Sequence, residues 1–145
     1  MKIKQLSLFL ENKPGHLSAI CGAMAKANLN IETLSLADTQ QFGILRLIVE
    51  DWERAMQALE SAGFVVNVTE VVATEVDDRP GGLAEILDVL EKGKINIEYM
   101  YAFTARRGNK AVLVFRFDEP DAAIRLLAAH GRNVLGSVGL FEKSK

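Results

Sequence analysis

Residues 12–17 read Asn-Lys-Pro-Gly-His-Leu, and residues 78–83 read Asp-Arg-Pro-Gly-Gly-Leu, 66 positions later. At this offset, eight of the 22 residue pairs between 11–32 and 77–98 are identical. Self-similarity at a fixed offset indicates that one structural unit occurs twice in the chain. The proline-glycine stretch therefore marks the same point in two copies of one fold.

The second part of the repeat is shifted by two residues. Gly63 corresponds to Gly131 at an offset of 68. The two-residue insertion is most simply placed in the turn at 106–109, because surface turns accept insertions and paired strands do not. We predict two homologous modules, residues 1–69 and 70–145.

Each module begins with a predicted strand and helix. Leu6, Leu8 and Leu10 alternate with residues of the opposite face, which is the period of a strand. Apolar residues then follow at the i, i+3, i+4, i+7 spacing of a helix face in both copies: Leu17, Ile20, Cys21 and Met24, and Leu83, Ile86, Leu87 and Leu90. Pro14 and Pro80 mark the helix starts, with Asn12 or Asp78 as the turn or cap residue.

The remaining elements complete a β-α-β-β-α-β order in each module. The predicted segments are a hairpin (34–37 and 45–49; 99–103 and 111–117), a helix (52–62; 120–129) and an apolar strand (64–68; 134–141). Asp51 and Asp118 are the predicted N-caps of the second helices, and Gly63 and Gly131 are their predicted stops. The fold class is α+β, with two tandem ferredoxin-like modules and antiparallel sheets.

The third strand of each module is apolar on both faces, as Ile44 and Leu45 illustrate. One face meets the helices, and the other also requires cover. We therefore expect the modules to pair side by side or back to back, with each other and with a second chain in a homodimer.

Composition excludes several functional classes. The net charge of −2 and pI of about 5.7 argue against nucleic acid as a partner. A single cysteine, Cys21, and the absence of a signal peptide or a run of about 18 apolar residues predict a cytoplasmic protein that does not bind membranes. His16 and His130 lack metal-ligand spacing, and nucleophile, nucleotide and dinucleotide motifs are missing. We predict no enzyme activity, no metal and no cofactor.

Two repeated features are candidates for ligand binding. Gly15-His16 and Gly81-Gly82 place backbone N–H groups at a helix N-terminus, which attracts carboxylates and phosphates. Asn30 and Asn96 leave the other end of the helix, so one module cannot easily bring both features to one ligand, whereas two paired modules can. The structural alternative is that Asn12 caps the helix, Gly15 fits a tight turn and Asn30 adopts the left-handed conformation. Glu32 and Glu98 either receive a ligand ammonium group or are solvated strand ends.

Each repeat resembles an ACT domain. The resemblance depends on the 12–17 turn with Asn30-Ile31 in the first copy, and on the 78–83 turn with Asn96-Ile97 in the second. Domains of this family are regulatory, pair with one another and bind amino acids at the shared interface. The resemblance implies that Asn12 and Asn30 hold the ligand, as in serine-binding relatives. The full set of residues that it assigns to two sites is Asn12, Pro14, Gly15, His16, Leu17, Asn30, Ile31, Asp78, Gly81, Gly82, Leu83, Asn96 and Ile97.

The sequence departs from that family pattern at two points. Leu10 and Val76 stand where the serine-binding relatives carry a histidine, and Asp78 replaces the first asparagine of the second copy. These departures argue against serine as the ligand and indicate that the second site differs or is silent.

We expect a non-catalytic, allosteric regulatory protein that binds a free amino acid or similar small metabolite between modules. The alternatives are a ligand-independent dimerisation or docking module for a biosynthetic enzyme, an RNA-binding domain with the same order of elements, and a ferredoxin-like enzyme. The RNA alternative relies on Phe115 and Phe117 beside Arg116, and the acidic charge balance disfavours it.

Overall fold

A computed structural model of the chain describes residues 2–38, 41–104 and 106–142. Contacts divide the chain into two compact units. The first unit is Lys4–Thr69, and the second is Glu70–Lys145 together with Met1–Ile3. The boundary between Thr69 and Glu70 falls between the two repeats, and each unit is described by itself below.

The first unit has the predicted β-α-β-β-α-β order. Its elements are β1 (Ile3–Glu11), α1 (His16–Lys26), β2 (Thr33–Asp38), β3 (Phe42–Ile48), α2 (Trp52–Ser61) and the beginning of β4 (Val66–Asp77). β3 pairs antiparallel with both β1 and β2, so it lies between them. Part of the connection between the two predicted hairpin strands, 34–37 and 45–49, lies outside the described residues.

The core of the first unit forms between the sheet and its two helices. Leu8 of β1 is opposite Leu45 of β3, and Leu6 is opposite Leu47. Their side chains are buried together with residues that α1 and α2 contribute to the same cluster: Ile20, Met24, Ala55 and Leu59. The predicted helix face is thereby confirmed for Ile20 and Met24, whereas Cys21 is only half-buried.

The second unit repeats this order from the end of β4. It contains α3 (Gly82–Lys92), β5 (Ile97–Ala102), β6 (Lys110–Phe117), α4 (Pro120–Ala129), β7 (Val134–Leu135) and α5 (Ser137–Phe141). β6 pairs antiparallel with β4 and β5, and β7 pairs with β4 on its other side. The strand order β5-β6-β4-β7 is that of a ferredoxin-like sheet, so the predicted α+β fold is confirmed.

The core of the second unit uses the equivalent positions. Val72 of β4 is opposite Phe115, and Phe115 stacks on Phe117 with ring centroids 5.2 Å apart. Both phenylalanines are fully buried among helix residues that include Ile86 and Leu127. Phe115 and Phe117 are therefore core residues. They are not stacking platforms for bases, which removes the structural basis of the RNA alternative.

Two strand predictions were wrong. The strand at 64–68 and the opening strand of the second module were expected to be separate, but a single strand, Val66–Asp77, contains most of both. This stretch has no glycine or proline to interrupt it. The segment predicted as a strand at 134–141 is a two-residue strand followed by α5, which buries Leu140. A short apolar run fits either conformation, and periodicity alone cannot distinguish them.

Helix ends confirm some predictions and correct others. The Asp51 side chain accepts a hydrogen bond from the Arg54 N–H at 3.3 Å, as expected of the N-cap of α2. The N-cap of α4 is Glu119, however, and not Asp118. The Asp118 carboxylate instead accepts from the N–H groups of Glu119 and Asn96. It therefore joins the start of α4 to the loop before β5.

A left-handed glycine leads into the first helix of each unit. Gly15 (φ 94°) and Gly81 (φ 85°) are the N-caps of α1 and α3, so Asn12 and Asp78 do not cap these helices as predicted. This backbone conformation is costly for any residue that has a Cβ atom. Gly82 is constrained differently, because a Cβ atom there would lie 2.0 Å from the Asp77 carbonyl oxygen.

None of the helices in the described residues is long and apolar enough to cross a membrane. α1 and α3 have 11 residues each. A membrane-spanning helix requires about 20 residues.

Replacing Gly82 with alanine should destabilise the protein by about 1–3 kcal/mol, because the added methyl group displaces the backbone at Asp77. Gly22→Ala is the matched control. Gly22 lies within α1, and a Cβ atom there meets nothing within 4 Å. That substitution should stabilise the protein by about 0.5–1 kcal/mol, since alanine is the better helix former. Urea unfolding measures both changes, and a Gly82→Ala protein as stable as the parent would contradict the steric argument.

Candidate ligand-binding site

The turn of the first unit leaves a helix N-terminus without a side-chain cap. Gly15 precedes α1 and has no side-chain acceptor to offer to the N–H groups of the first helical turn. These groups also lack partners inside the helix. Pro14 and Gly15 are exposed, whereas His16 and Leu17 are half-buried. An acceptor such as a carboxylate therefore finds donors and a favourable helix dipole here.

Hydrogen bonds from backbone N–H groups hold this turn in place. The Asn12 N–H donates to the Gln41 carbonyl oxygen at 2.9 Å, which attaches the turn to the chain before β3. The Glu11 N–H donates to His16 Nδ1 at 3.2 Å. Because Nδ1 accepts, a neutral His16 carries its proton on Nε2 and has a donor available at that atom.

Glu11 contributes a negative charge to the turn. Its carboxylate forms an ion pair with Lys13, at 3.0 Å between Nζ and Oε2. The hydrogen bond and charge of Lys13 lower the pKa of the Glu11 carboxyl group. The turn thus offers backbone donors, a carboxylate and the exposed Asn12 side chain, a mixture that suits a zwitterion.

A cavity of about 230 Å³ opens beside the turn. Glu11 and His16 supply its polar atoms. The other side chains that line it are apolar: Phe9, Leu10, Phe42 and Phe64. The three phenylalanines were not among the predicted site residues. The sequence contained a signal for Phe9, because this large apolar residue lies on the strand face opposite the buried leucines.

The helix exit of the first unit lies at a second cavity, of about 490 Å³. Asn30 lines it with Glu32, and the Asn30 Nδ2 donates to the Glu32 carboxylate at 3.4 Å. Asn30 does not adopt the left-handed conformation that the structural alternative assigned to it. That conformation belongs to Asn28, with φ 55°. The Asn30 amide is therefore not required to end α1.

Asn12 and Asn30 are not brought together within the first unit. α1, with 11 residues, separates the turn from the helix exit, and a helix of that length spans about 16 Å. Ile31 is half-buried and packs against the core. The predicted site residues therefore form two groups at opposite ends of α1.

The turn of the second unit has the same backbone and different chemistry. Asp78, the counterpart of Asn12, forms an ion pair with Arg106, and its N–H donates to the Asn109 carbonyl oxygen at 3.3 Å. Gly82 is buried where His16 places an imidazole in the first unit. Leu83 is 38% exposed. The second turn thus carries a paired acidic side chain in place of the asparagine.

Further ion pairs surround the second turn. Arg79 pairs with Glu85 at 2.8 Å and with Asp77 at 3.4 Å, and Asp77 also pairs with Lys110. The hydrogen bond and charge of Arg79 lower the pKa of Glu85, and Lys110 lowers the pKa of Asp77 in the same way. The carboxylates and cations of this turn therefore satisfy one another.

At the helix exit of the second unit, the backbone of Asn96 is bound at both ends. Its N–H donates to the Asp118 carboxylate at 3.1 Å, and its carbonyl oxygen accepts from the Asp118 N–H at 3.2 Å. Its neighbour Ile97 begins β5 and packs against the core of that unit. Asn96 is exposed.

The described residues contain no group of three or more His, Cys, Asp or Glu side chains arranged to hold a metal ion. His130 lies at the end of α4, where its Nδ1 is 3.0 Å from the Leu126 carbonyl oxygen.

The chain thus consists of two ferredoxin-like repeats, each with an uncapped glycine turn between its first strand and first helix. The family model for an ACT domain pair matches residues 1–135, and the chain belongs to that family. ACT domains are regulatory, so the chain is a pair of regulatory domains.

Solved structures share this architecture. A crystal structure of a protein from Bacteroides thetaiotaomicron has 39% sequence identity and a TM-score of 0.91, covering 99% of this chain and 98% of that one. The ligand-free regulatory subunit of aspartate kinase from Thermus thermophilus has 16% identity and a TM-score of 0.62, covering 96% and 93%. The corresponding subunit from Thermus flavus has 17% identity and a TM-score of 0.60, covering 87% and 90%. No protein of curated function matches the sequence.

The ion pairs of the second turn should make stability depend on pH. Folding lowers the pKa values of Glu85 and Asp77 below their ordinary values of 4.5 and 3.8. The contribution of these carboxylates to the free energy of unfolding is therefore complete above the ordinary values, and it is lost as the pH falls through the pKa values of the folded protein. Glu85→Gln should therefore flatten the fall of unfolding free energy below about pH 5. Glu60→Gln, at an exposed position of α2, is the control. Equal pH profiles for the two variants would refute the prediction.

Proposed function

We propose that this ACT domain pair binds a free amino acid, or a similar small zwitterion, through the turn of its first module. The observation that carries the proposal is the uncapped N-terminus of α1 beside an open cavity that His16 and Glu11 line. The helix amides would receive the ligand carboxylate, and Glu11 would receive its ammonium group. Asn12, with both a donor and an acceptor, serves either group.

The ligand is shared between two modules. Asn12 and Asn30 are at opposite ends of α1, so a ligand that contacts both kinds of residue needs the turn of one module and the helix exit of a neighbour. The Asn30 amide suits this role because Asn28, and not Asn30, ends the helix. The turn half of the site would also contain Pro14, Gly15 and Leu17, and the helix-exit half would contain Ile31.

The second turn is proposed to bind the same ligand weakly or not at all. At the N-terminus of α3, Asp78 offers only acceptor atoms where Asn12 has an amide, and Arg106 already pairs with this carboxylate. The second turn, Gly81-Gly82-Leu83, has the same backbone shape as the first but has no histidine to act as a donor. At the helix exit, the backbone of Asn96 is bound to Asp118. The duplicated scaffold thus carries one principal site.

Binding at a shared junction would regulate by favouring one arrangement of modules over another, since a ligand shifts an equilibrium by its differential affinity for the two states. In this proposal the protein is non-catalytic and needs no cofactor. It assembles as a homodimer in the cytoplasm and acts on a biosynthetic enzyme. The regulatory subunits of aspartate kinase from two Thermus species share this fold, which supports regulation of a biosynthetic enzyme.

A second candidate function is ligand-independent docking onto an enzyme. Leu34 and Leu36 of β2 are 46% and 45% exposed, and exposed apolar side chains on one strand are typical of an interaction surface. In that case a partner enzyme would be retained equally with and without amino acids, and charge substitutions at these leucines would abolish its binding.

Isothermal titration calorimetry with each of the twenty amino acids tests the principal proposal. At least one should bind, and Asn12→Ala and Asn30→Ala should each weaken it about tenfold or more, because a hydrogen bond to a charged group contributes about 1.5–3 kcal/mol. Asn67→Ala, at an exposed position of β4, should leave the affinity unchanged. Absence of heat for all twenty at millimolar concentration would contradict the proposal.

Mixing the two variants shows which module is the neighbour. If Asn12 of one copy and Asn30 of another form the site of a twofold dimer, each mixed dimer regains one intact site, and an equimolar mixture recovers about a quarter of the binding. If the neighbour lies in the same chain, the turn with Asn12 meets the helix exit with Asn96, so Asn96→Ala weakens binding, Asn30→Ala does not, and mixing does not restore the sites that Asn12→Ala removes.

A further inference from the structure

The cavity beside the first turn has two chemically different ends. We call it the aromatic cavity, and its lining is Phe9, Leu10, Glu11, His16, Phe42 and Phe64. Glu11 and His16 belong to the proposed binding turn. The remaining four side chains are hydrocarbon and carry no charged or hydrogen-bonding group.

Two of these phenylalanines are held at the surface by strand pairing. Phe42 is opposite Glu11 in the β1–β3 register, and Phe9 lies two residues before Glu11, opposite Ile44. Because alternate residues of a strand share a face, Phe9 and Phe42 lie on the same face of the sheet. They are 68% and 55% exposed, so covering them with apolar atoms is favourable.

The polar end is arranged to orient a small ligand. The Glu11 N–H occupies His16 Nδ1, which leaves Nε2–H as the donor of that ring, and the Glu11 carboxylate carries a full charge next to Lys13. Pockets that bind small molecules combine this kind of apolar lining with a few placed polar groups.

The volume of this open cavity indicates the size of group that it can accommodate. Its volume is about 230 Å³. A cavity of about 150 Å³ accommodates benzene, and drug-sized ligands occupy about 300–1,000 Å³. The space therefore suits one side chain of the size of leucine, methionine or phenylalanine.

We propose that the aromatic cavity receives the side chain of the bound amino acid and selects a large apolar one: leucine, isoleucine, methionine or phenylalanine. This inference rests on the proposed function and specifies its ligand class. The turn binds the groups that all amino acids share, and Phe9, Phe42 and Phe64 distinguish the side chain. It also fits the absence of the histidine of serine-binding relatives at Leu10, which here lines the cavity.

The test compares affinities for leucine, methionine and phenylalanine with those for alanine, serine and aspartate by calorimetry. The first group should bind at least about tenfold more tightly, the difference that a few methylene groups make in an apolar pocket. Phe42→Ala should reduce this preference about tenfold or more and leave alanine affinity almost unchanged. Val65→Ala, at an apolar position that is 80% exposed, should alter neither. Phe9→Ala provides an independent second variant, and circular dichroism checks that each variant folds.

The outcomes separate the two proposals. If no amino acid binds, both fail. If amino acids bind but alanine, serine or aspartate binds as tightly as leucine, the amino-acid site stands and selection by the aromatic cavity is overturned. The cavity proposal also fails if Phe42→Ala and Phe9→Ala leave the selectivity intact. If these two variants also dissociate an oligomer in sedimentation experiments, a second copy of the chain, and not an amino-acid side chain, covers the aromatic cavity.

Discussion

The reversal from β1 into α1 is the constraint on which the first module depends. Gly15 makes it in the left-handed region, where a residue with a Cβ atom pays a conformational cost. The same bend leaves the N-terminal amides of α1 without a side-chain cap, and hydrogen bonds to Gln41 and within the turn fix the turn whose His16 lines a cavity. Gly15 thus permits the fold and also leaves the N-terminal amides of α1 exposed to a ligand carboxylate.

Duplication preserved this backbone and changed its charges. Gly81 repeats the bend at φ 85°, but the second turn is surrounded by ion pairs of Asp77, Asp78 and Glu85 with arginine and lysine side chains. Exposed pairs of this kind contribute little stability each, and together they occupy the donors and acceptors that a ligand would use. Two modules with one fold therefore present one turn that borders a cavity and carries the Glu11–Lys13 pair, and one turn surrounded by several ion pairs.

Element order and helix faces were predictable from sequence because they depend on local periodicity. Helix ends were predicted less well. Asn30 was considered as the left-handed residue after α1, and the structure assigns that conformation to Asn28, just as Lys94 takes it after α3. Asp118 was expected to cap α4, and it binds Asn96 instead. The residue at which a helix ends depends on which helical turn is the last to pack against the sheet. Residue preferences alone predict that position only to within a few residues.

The sequence by itself determined the duplication, the β-α-β-β-α-β order and the glycine at each strand-to-helix turn, because these follow from repeats, spacing and the conformational preference of single residues. Tertiary structure decided that Phe9, Phe42 and Phe64 line one cavity and that Asp78 meets Arg106, 28 positions away. It also decided that Asn12 and Asn30 stand apart. Such proximities arise from strand register and helix packing, which join residues that no local pattern connects.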